Sequence, residues 1–184
     1  MTAAEMPPWP TGPVGYGPVI LRPFSALDVP MVRELSTDPY VPLIGTLPAN
    51  ASEREARAYI DRQLGRLAEG IGLSFAIAEA GTDRAVGGIG LWLRDLIHGR
   101  ATAGYFVAPS ARGRGLAAAA LTALTSYAWT IPGLHRIELY IEPWNAGSAT
   151  TAERAGYERE GLLRSHQEIG GHRRDMLIYA TIRR

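Results

Sequence analysis

Cysteine is absent from this chain of 184 residues, and its absence excludes a disulfide framework, a thiolate metal site and a cysteine nucleophile. Long apolar runs are also missing. The run AAAALTAL is shorter than the roughly 18 residues that a membrane-spanning helix needs, and Thr122 interrupts it. The first residues lack the cationic start and the apolar stretch of a secretory signal. These absences predict a cytoplasmic protein.

A large excess of one charge is missing as well. The net charge of +1 gives no overall electrostatic attraction to nucleic acid or to an anionic membrane. The length fits one domain, and no internal repeat is visible. Proline and glycine are concentrated in residues 1–18 without any periodicity. We therefore predict an N-terminal tail or arm outside the core over 1–18 and a single domain over 19–184. Trp9 and Tyr16 of this arm could dock on the domain or on a partner subunit, and a mostly disordered leader is the alternative.

Hydrophobic periodicity predicts strands and helices that alternate along the chain. Ser52 and Glu55 match a capping box, and apolar residues recur at helical spacing over 53–69. Residues 36–51 contain several prolines and are expected to form an irregular loop. The element order β-α-α-β-β-β-α-β-α-β-β predicts a mixed α/β sheet covered by helices. The other predicted elements are strands at 19–22, 73–79, 85–93, 101–107, 135–141, 157–164 and 173–182, a helix after Ser25, and helices at 115–130 and 146–155.

The most informative segment is GYFVAPSARGRGLAAAA, in which a strand ends before a proline and a long helix begins after Arg112-Gly113-Arg114-Gly115-Leu116-Ala117. Glycines allow backbone N–H groups to approach a ligand closely, and the first turn of a helix leaves N–H groups unpaired. The helix dipole and the two arginines add positive charge. This combination predicts a site for a pyrophosphate on the N–H groups of residues 112–117.

Other interpretations of this loop are an ordinary glycine-containing turn with solvated arginines, a dinucleotide fingerprint and a Walker-type loop. Residues 113–118 fit the pattern G-x-G-x-x-A, and Glu138 lies near the distance expected for a ribose contact. The fingerprint, however, requires its first glycine at the tip of the strand, and residues 108–112 intervene here. A Walker-type loop is excluded because Gly-Lys-Ser/Thr is missing.

The segment Arg112-x-x-Gly115-x-Ala117 resembles the Arg/Gln-x-x-Gly-x-Gly/Ala signature of the GNAT superfamily of acyl-CoA N-acyltransferases. More narrowly, the chain is similar to the RimJ/RimL-like branch, which acetylates protein N-terminal amines and some small amines. The similarity extends from about Leu21 to the C-terminus. It is carried by Leu21-Arg22-Pro23, Gly104-Tyr105, His135-Arg136-Ile137, Asn145-x-x-Ser148, Gly156-Tyr157, Glu160-Gly161 and Asp175.

The resemblance implies a mostly antiparallel, twisted sheet of about six to seven strands flanked by helices. Two parallel strands, here 101–107 and 135–141, are expected to splay into a V-shaped gap that holds the pantetheine arm of acetyl-CoA. The amides of this arm would pair with the backbone of Phe106 and Val107 by strand addition. Acetyl-CoA is thus the implied co-substrate, and no metal is expected.

Asn145 and Ser148 lie three residues apart at the start of a predicted helix, so both can face the same side. The resemblance places Asn145 on the pantetheine arm and Ser148 near the thioester sulfur, where the hydroxyl could protonate the leaving thiolate. Asn145 is also a good helix N-cap, and the two roles are compatible.

The general base is not identified by the sequence. Relatives often carry glutamate just before the Gly-Tyr pair, but Thr102 occupies that position here and cannot act as a base. Glu138, Glu142, His166 and Glu168 are the remaining candidates. Asp175 matches a family position, and pairing with a neighbouring arginine would explain it equally well.

The predicted activity is direct transfer of an acetyl group from acetyl-CoA to a primary amine, either a protein N-terminal α-amine or the amine of a small molecule. The loop recognises CoA and not its acyl group, so another donor such as succinyl-CoA stays open. A CoA-binding module without catalytic activity is a further alternative. No nucleic acid or membrane partner is expected, and a homodimer is an expectation from the family alone.

Overall fold

The computed structural model describes residues 6–183, and within them eight strands lie in one sheet. Their spatial order is β1-β2-β3-β4-β5-β6-β8-β7. The strands are β1 (Val14–Tyr16), β2 (Val19–Arg22), β3 (Gly72–Glu79), β4 (Ala85–Trp92), β5 (Arg100–Val107), β6 (Arg136–Ile141), β7 (Glu158–Ile169) and β8 (His172–Ile182).

Five α-helices cover the two faces of this sheet. The capping box predicted for α3 is present, because the Ser52 side chain accepts from the Glu55 N–H while the Glu55 carboxylate accepts from the Ser52 N–H. Helix α3 ends at Gly65, earlier than the predicted end at residue 69, because the chain turns after it. In this turn Gly70 has a φ of 68°, and the Ile71 N–H donates to the Arg66 carbonyl. The helices are α1 (Val29–Leu35), α2 (Val41–Ile44), α3 (Glu53–Gly65), α4 (Leu116–Ala128) and α5 (Ala146–Arg154).

The predicted mixed, mostly antiparallel sheet is confirmed. Within the described chain, neighbouring strands pair in antiparallel fashion except β5 and β6, which are parallel. The parallel pairing is short. It begins where Arg100 lies opposite Arg136 and ends where Thr102 lies opposite Glu138. Beyond it, β5 continues on β4 and β6 continues on β8, so the two strands part.

The prediction that residues 1–18 lie outside the core is wrong for part of this segment. Val14 is buried and pairs with Leu21, because Gly17 turns the chain back with φ 54°. The Trp9 ring lies 4.7 Å from the Phe75 ring, centroid to centroid. Strands β1 and β2 therefore form a short hairpin, which a composition rich in proline and glycine did not predict. Residues 1–5 of the predicted tail lie outside the described part.

Two further boundaries differ from the prediction. The loop predicted over 36–51 contains α2, whose first N–H groups are held by a side chain, since the Asp38 carboxylate accepts from the N–H of Tyr40 and Val41. Strand β7 extends to Ile169 because Gly170 and Gly171, with φ 59° and 77°, form a two-residue turn into β8.

The core lies on both faces of the sheet. On one face α4 packs closely against the strands, since its inward positions carry alanine among fully buried leucines such as Leu121 and Leu124. On the other face α1 and α3 bury a second cluster that includes Val32, Leu35 and Ile60. None of the helices formed by residues 6–183 combines the length and the apolar character needed to traverse a bilayer.

Replacing Trp9 by alanine tests whether the N-terminal segment belongs to the fold. Because the indole packs on Phe75, we expect Trp9→Ala to lower the free energy of unfolding by about 2 kcal/mol. The matched control is Tyr16→Ala, whose side chain is 57% exposed. Urea unfolding of both variants checks this, and equal stabilities for Trp9→Ala and the unaltered protein would contradict the docking.

Candidate active site

A large cavity opens where β5 and β6 part. Its volume is about 980 Å³, at the upper end of the range typical for ligand pockets. Residues from both faces of the sheet line it, so it crosses the sheet through the gap; we call it the central cavity. Every residue assigned to the CoA site from the sequence lines it: Phe106, Val107, Arg112, Gly113, Arg114, Gly115, Leu116, Ala117, Asn145 and Ser148.

The register of β5 decides which backbone groups face the gap. The Ala108 N–H donates to the Val86 carbonyl (2.8 Å), and Phe106 lies opposite Gly88. Since backbone groups alternate between the two sides of a strand, those of Phe106 point to β4 and those of Val107 point into the gap. The predicted pairing of a ligand with the Phe106 backbone is therefore wrong, and this residue contributes its ring to the cavity wall instead.

The loop before α4 presents a run of N–H groups without partners. Gly113 and Gly115 have φ of 75° and 74°, and Gly115 precedes the helix without a side-chain cap. Within residues 6–183, the N–H groups of 113–118 donate to no backbone or side-chain acceptor, whereas the Arg112 N–H bonds the Pro109 carbonyl at 3.4 Å. These amides, with the helix dipole behind them, are a candidate anion site at one mouth of the cavity.

The two arginines of this loop are bound to acidic residues, which the sequence did not predict. Arg112 donates to the Asp38 carboxylate (2.6 Å) and to the Val107 carbonyl (3.0 Å). Arg114 donates to the Glu79 carboxylate (2.6 Å), and together with Arg84 it lowers the pKa of Glu79. Their positive charges are thus partly neutralised, and the main-chain amides carry more of the attraction for an anion.

Asn145 and Ser148 occupy the first turn of α5, beside the same gap. The Asn145 Oδ1 caps the helix by accepting from the Ser148 N–H (3.0 Å), so the N-cap role considered from the sequence is present. The Tyr105 hydroxyl donates to the Ser148 carbonyl (3.1 Å) and ties α5 to β5. Ser148 is half-buried and lines the cavity.

Of the four candidate bases, Glu142 is the one that lines the central cavity. Its carboxylate is 4% exposed and lies 3.6 Å from the Arg174 Nε. Glu138 is bound by Arg136 and by the Tyr140 hydroxyl instead. Burial and the bond to Glu138 raise the pKa of Tyr140 to about 12, so this hydroxyl stays protonated near neutral pH.

The other predicted acidic and histidine positions lie away from the cavity lining. His166 stacks on the Tyr140 ring at 4.8 Å, and Glu168 is exposed on β7. Asp175 accepts from the Ser165 N–H (2.7 Å), which is a structural role on the β7–β8 hairpin. Sequence spacing alone does not show which of these carboxylates faces inward, because β7 contains bulges that shift its alternation.

Asp38 connects the loop before α4 to α2 and was not recognised from the sequence. Burial alone raises the pKa of Asp38, but hydrogen bonds from the Val41 N–H, from Arg112 and from the Tyr40 N–H outweigh it and leave the pKa below its usual value. Because the pKa of Asp38 is lower in the folded than in the unfolded protein, the ionised carboxylate stabilises the fold at pH values above the unfolded-state pKa. That stabilisation is lost as the pH falls through the folded-state value.

We therefore expect Asp38→Asn to lower the free energy of unfolding by about 1 kcal/mol at neutral pH, since Arg112 is half exposed and screened by solvent. Below about pH 4 the difference from the unaltered protein should shrink. Glu53→Gln, which breaks an exposed pair with Arg57, is the control and should have a smaller effect. Chemical unfolding at several pH values measures this; a difference that widens toward acid would contradict the assignment.

Comparison with known proteins agrees with this geometry. Residues 19–158 match the family model of the acetyltransferase (GNAT) domain. The chain is 28% identical over 164 residues to the uncharacterized N-acetyltransferase p20 of Bacillus licheniformis, covering 89% of this chain and 92% of that protein.

Two solved structures share the fold. Mycobacterium smegmatis RimJ, in complex with CoA-disulfide, is 28% identical with a TM-score of 0.78, covering 93% of this chain and 86% of that one. The ribosomal L7/L12 α-N-protein acetyltransferase RimL, in complex with coenzyme A, has a TM-score of 0.78 at 19% identity, covering 93% and 98%. The chain therefore belongs to the GNAT family of acyl-CoA-dependent acetyltransferases.

Proposed function

We propose that this acetyltransferase moves an acetyl group from acetyl-CoA directly to a primary amine, either a protein N-terminal α-amine or the amine of a small molecule. The observation that carries the proposal is the run of unpaired amides at 113–118, placed at the mouth of a cavity that crosses the sheet. A cytoplasmic location and a homodimer are part of the proposal and rest on sequence features and family resemblance.

The residues of the gap fit a CoA thioester. The amides of the loop supply donors for a pyrophosphate, and glycine at 113 and 115 leaves open space, since a Cβ there would meet no atom within 4 Å. The Val107 backbone faces the gap, where its N–H can donate to a carbonyl of a pantetheine arm; its own carbonyl already accepts from Arg112 and has one further lone pair. RimJ and RimL, whose folds this chain shares, bind CoA in their solved structures.

Acetyl transfer requires that a neutral amine reach the thioester carbon, that the oxyanion be stabilised and that a thiolate leave. In this proposal the Ser148 hydroxyl donates a proton or a hydrogen bond to the leaving thiolate. Asn145 holds the first turn of α5 and so fixes the position of Ser148. An α-amine, with a pKa of about 8, needs only a modest base acting through water.

Gly115→Asp tests the phosphate site. The change places a carboxylate and a Cβ beside the amides of the loop, so we expect CoA affinity to fall at least about a hundredfold through charge repulsion. Isothermal titration calorimetry with acetyl-CoA measures this. Gly17→Asp is the matched control, because Gly17 also has a positive φ (54°) and open space but lies outside the cavity. Equal CoA affinity in the two variants would refute the site.

Ser148→Ala tests the chemical step. Loss of the hydroxyl should slow acetyl transfer about ten- to a thousandfold while acetyl-CoA affinity stays nearly constant. Single-turnover measurement of thiol release with an amine panel checks the rate. Ser126→Ala, a serine-to-alanine change on the exposed face of α4, is the control. An unaltered transfer rate would remove Ser148 from the chemistry.

A further inference from the structure

The central cavity has two halves on opposite faces of the sheet. Tyr105 and Gly104 are neighbours on β5, so their side-chain directions point to opposite faces. The Tyr105 hydroxyl reaches the Ser148 carbonyl, which places α5 and the loop before α4 on the first face. Gly104 on β5 lies opposite Gly90 on β4, and Gly90 lies opposite Ser74 on β3. Residues directly opposite each other share a face, so all three lie on the second face. We call the half on the second face the acceptor chamber; its polar lining includes Tyr59, Gln63, Arg66, Ser74, Trp92 and Thr102 and, because Thr102 pairs with Glu138, also Tyr140 and Glu142, which alternate onto the same face.

The floor of the acceptor chamber is a tryptophan ring laid across two glycines. A Cβ at Gly104 would lie 3.0 Å from the Trp92 ring, and a Cβ at Gly90 would lie 3.1 Å from it. Any larger residue at these positions would push the indole away from the strands. The pair of glycines therefore allows Trp92 to lie flat, with one face of the ring turned to the chamber.

Arg66 is held on this floor in a fixed geometry. Its Cζ lies 5.4 Å from the Trp92 ring centroid, and its Nη1 donates to the Ser74 Oγ at 3.0 Å. Ser74 is 3% exposed, so the hydrogen bond is formed inside the protein. These two contacts orient the guanidinium but leave most of its N–H groups available. The guanidinium is thus part of the chamber wall and is preorganised there.

No carboxylate in the described chain forms a salt bridge with Arg66. The described carboxylates that line the central cavity are Asp38 and Glu142, and each is paired with another arginine. Burial lowers the pKa of the Arg66 guanidinium, which nevertheless stays charged. The Trp92 face and the C-terminal end of α3 offset part of the cost of burying this charge. A bound anion would offset more, because a guanidinium binds carboxylate or phosphate with two parallel hydrogen bonds.

We propose that the amine acceptor also carries an oxyanion, a carboxylate or a phosphate group, and that Arg66 binds this group in the acceptor chamber. The inference rests on the proposed function and makes its acceptor more specific. The amine end of the acceptor would reach through the gap toward Ser148 while the anionic end stays on the Trp92 floor. Arg66 is in this view a specificity residue that acts on substrate binding and takes no part in proton transfer.

The proposal is tested with pairs of amine acceptors that have a similar size but differ in charge. The carboxylate arm compares the dipeptide amides Ala-Glu-NH₂ and Ala-Gln-NH₂, and the phosphate arm compares O-phosphoethanolamine and ethanolamine. We expect the unaltered enzyme to show a kcat/KM at least about tenfold higher for the anionic member of one pair, and the pair that discriminates identifies the anion. Absence of preference in both arms would overturn the proposal.

Arg66→Gln should abolish that preference by raising the KM of the anionic member at least about tenfold more than the KM of its neutral partner, and acetyl-CoA affinity should change little. Arg66→Lys keeps the charge but not the two-pronged geometry, so it should retain only part of the preference. Arg54→Gln, an exposed arginine at the start of α3, is the control. A preference that persists in Arg66→Gln would contradict the assignment.

A binding readout keeps this test independent of catalysis. The protein saturated with CoA is titrated calorimetrically with both members of each pair. Binding of an anionic member that is lost in Arg66→Gln supports the anion site even when no thiol is released, in which case only the proposed acetyl transfer fails. Equal binding of charged and neutral members by the unaltered protein refutes the anion site even when turnover is observed.

Discussion

The structure depends on one interruption of backbone pairing. β5 and β6 exchange hydrogen bonds over three residue pairs and then separate, because each strand remains bound to its other neighbour in the sheet. Strand edges without partners are costly when they are buried away from polar groups. Here they border a cavity whose wall offers the Val107 backbone to a ligand. The gap thus connects the two faces of the sheet, and in our proposal a thioester on one face meets an amine that arrives from the other.

The two faces are chemically distinct. On the first, unpaired amides at the start of α4 form the proposed phosphate site, while the arginines beside them are engaged with Asp38 and Glu79. On the second, Arg66 provides a charge that no side chain in the described part of the molecule neutralises by a salt bridge. Asp38 links the two regions, since it holds both Arg112 and the first N–H groups of α2, whose loop covers part of the cavity. Asp38 therefore connects the proposed phosphate site to the loop that covers the proposed acceptor side.

Local sequence signals predicted the parts of the fold and of the candidate site that are built from neighbouring residues. The capping box at Ser52, the glycines before α4 and the Asn145–Ser148 pair depend on contacts three or four residues apart, and these appear as expected. Contacts between distant residues were not predictable in this way. Arg112 and Asp38 are 74 positions apart in the chain. Arg66, Ser74 and Trp92 come together only through the pairing of β3 with β4 and the position of α3, so the helical spacing over 53–69 did not single out Arg66. The backbone direction of Phe106 depends on strand register, which a one-residue shift would invert.

The central claim is that main-chain amides of the loop before α4 hold the pyrophosphate of CoA. Amide NMR spectra of isotope-labelled protein test it most directly, with CoA and pantetheine added in separate titrations. We expect CoA to shift the N–H resonances of residues 113–117 and to slow their exchange with solvent. Pantetheine, which lacks the pyrophosphate, should leave them nearly unchanged. Saturable binding of CoA without any response from these amides would contradict it.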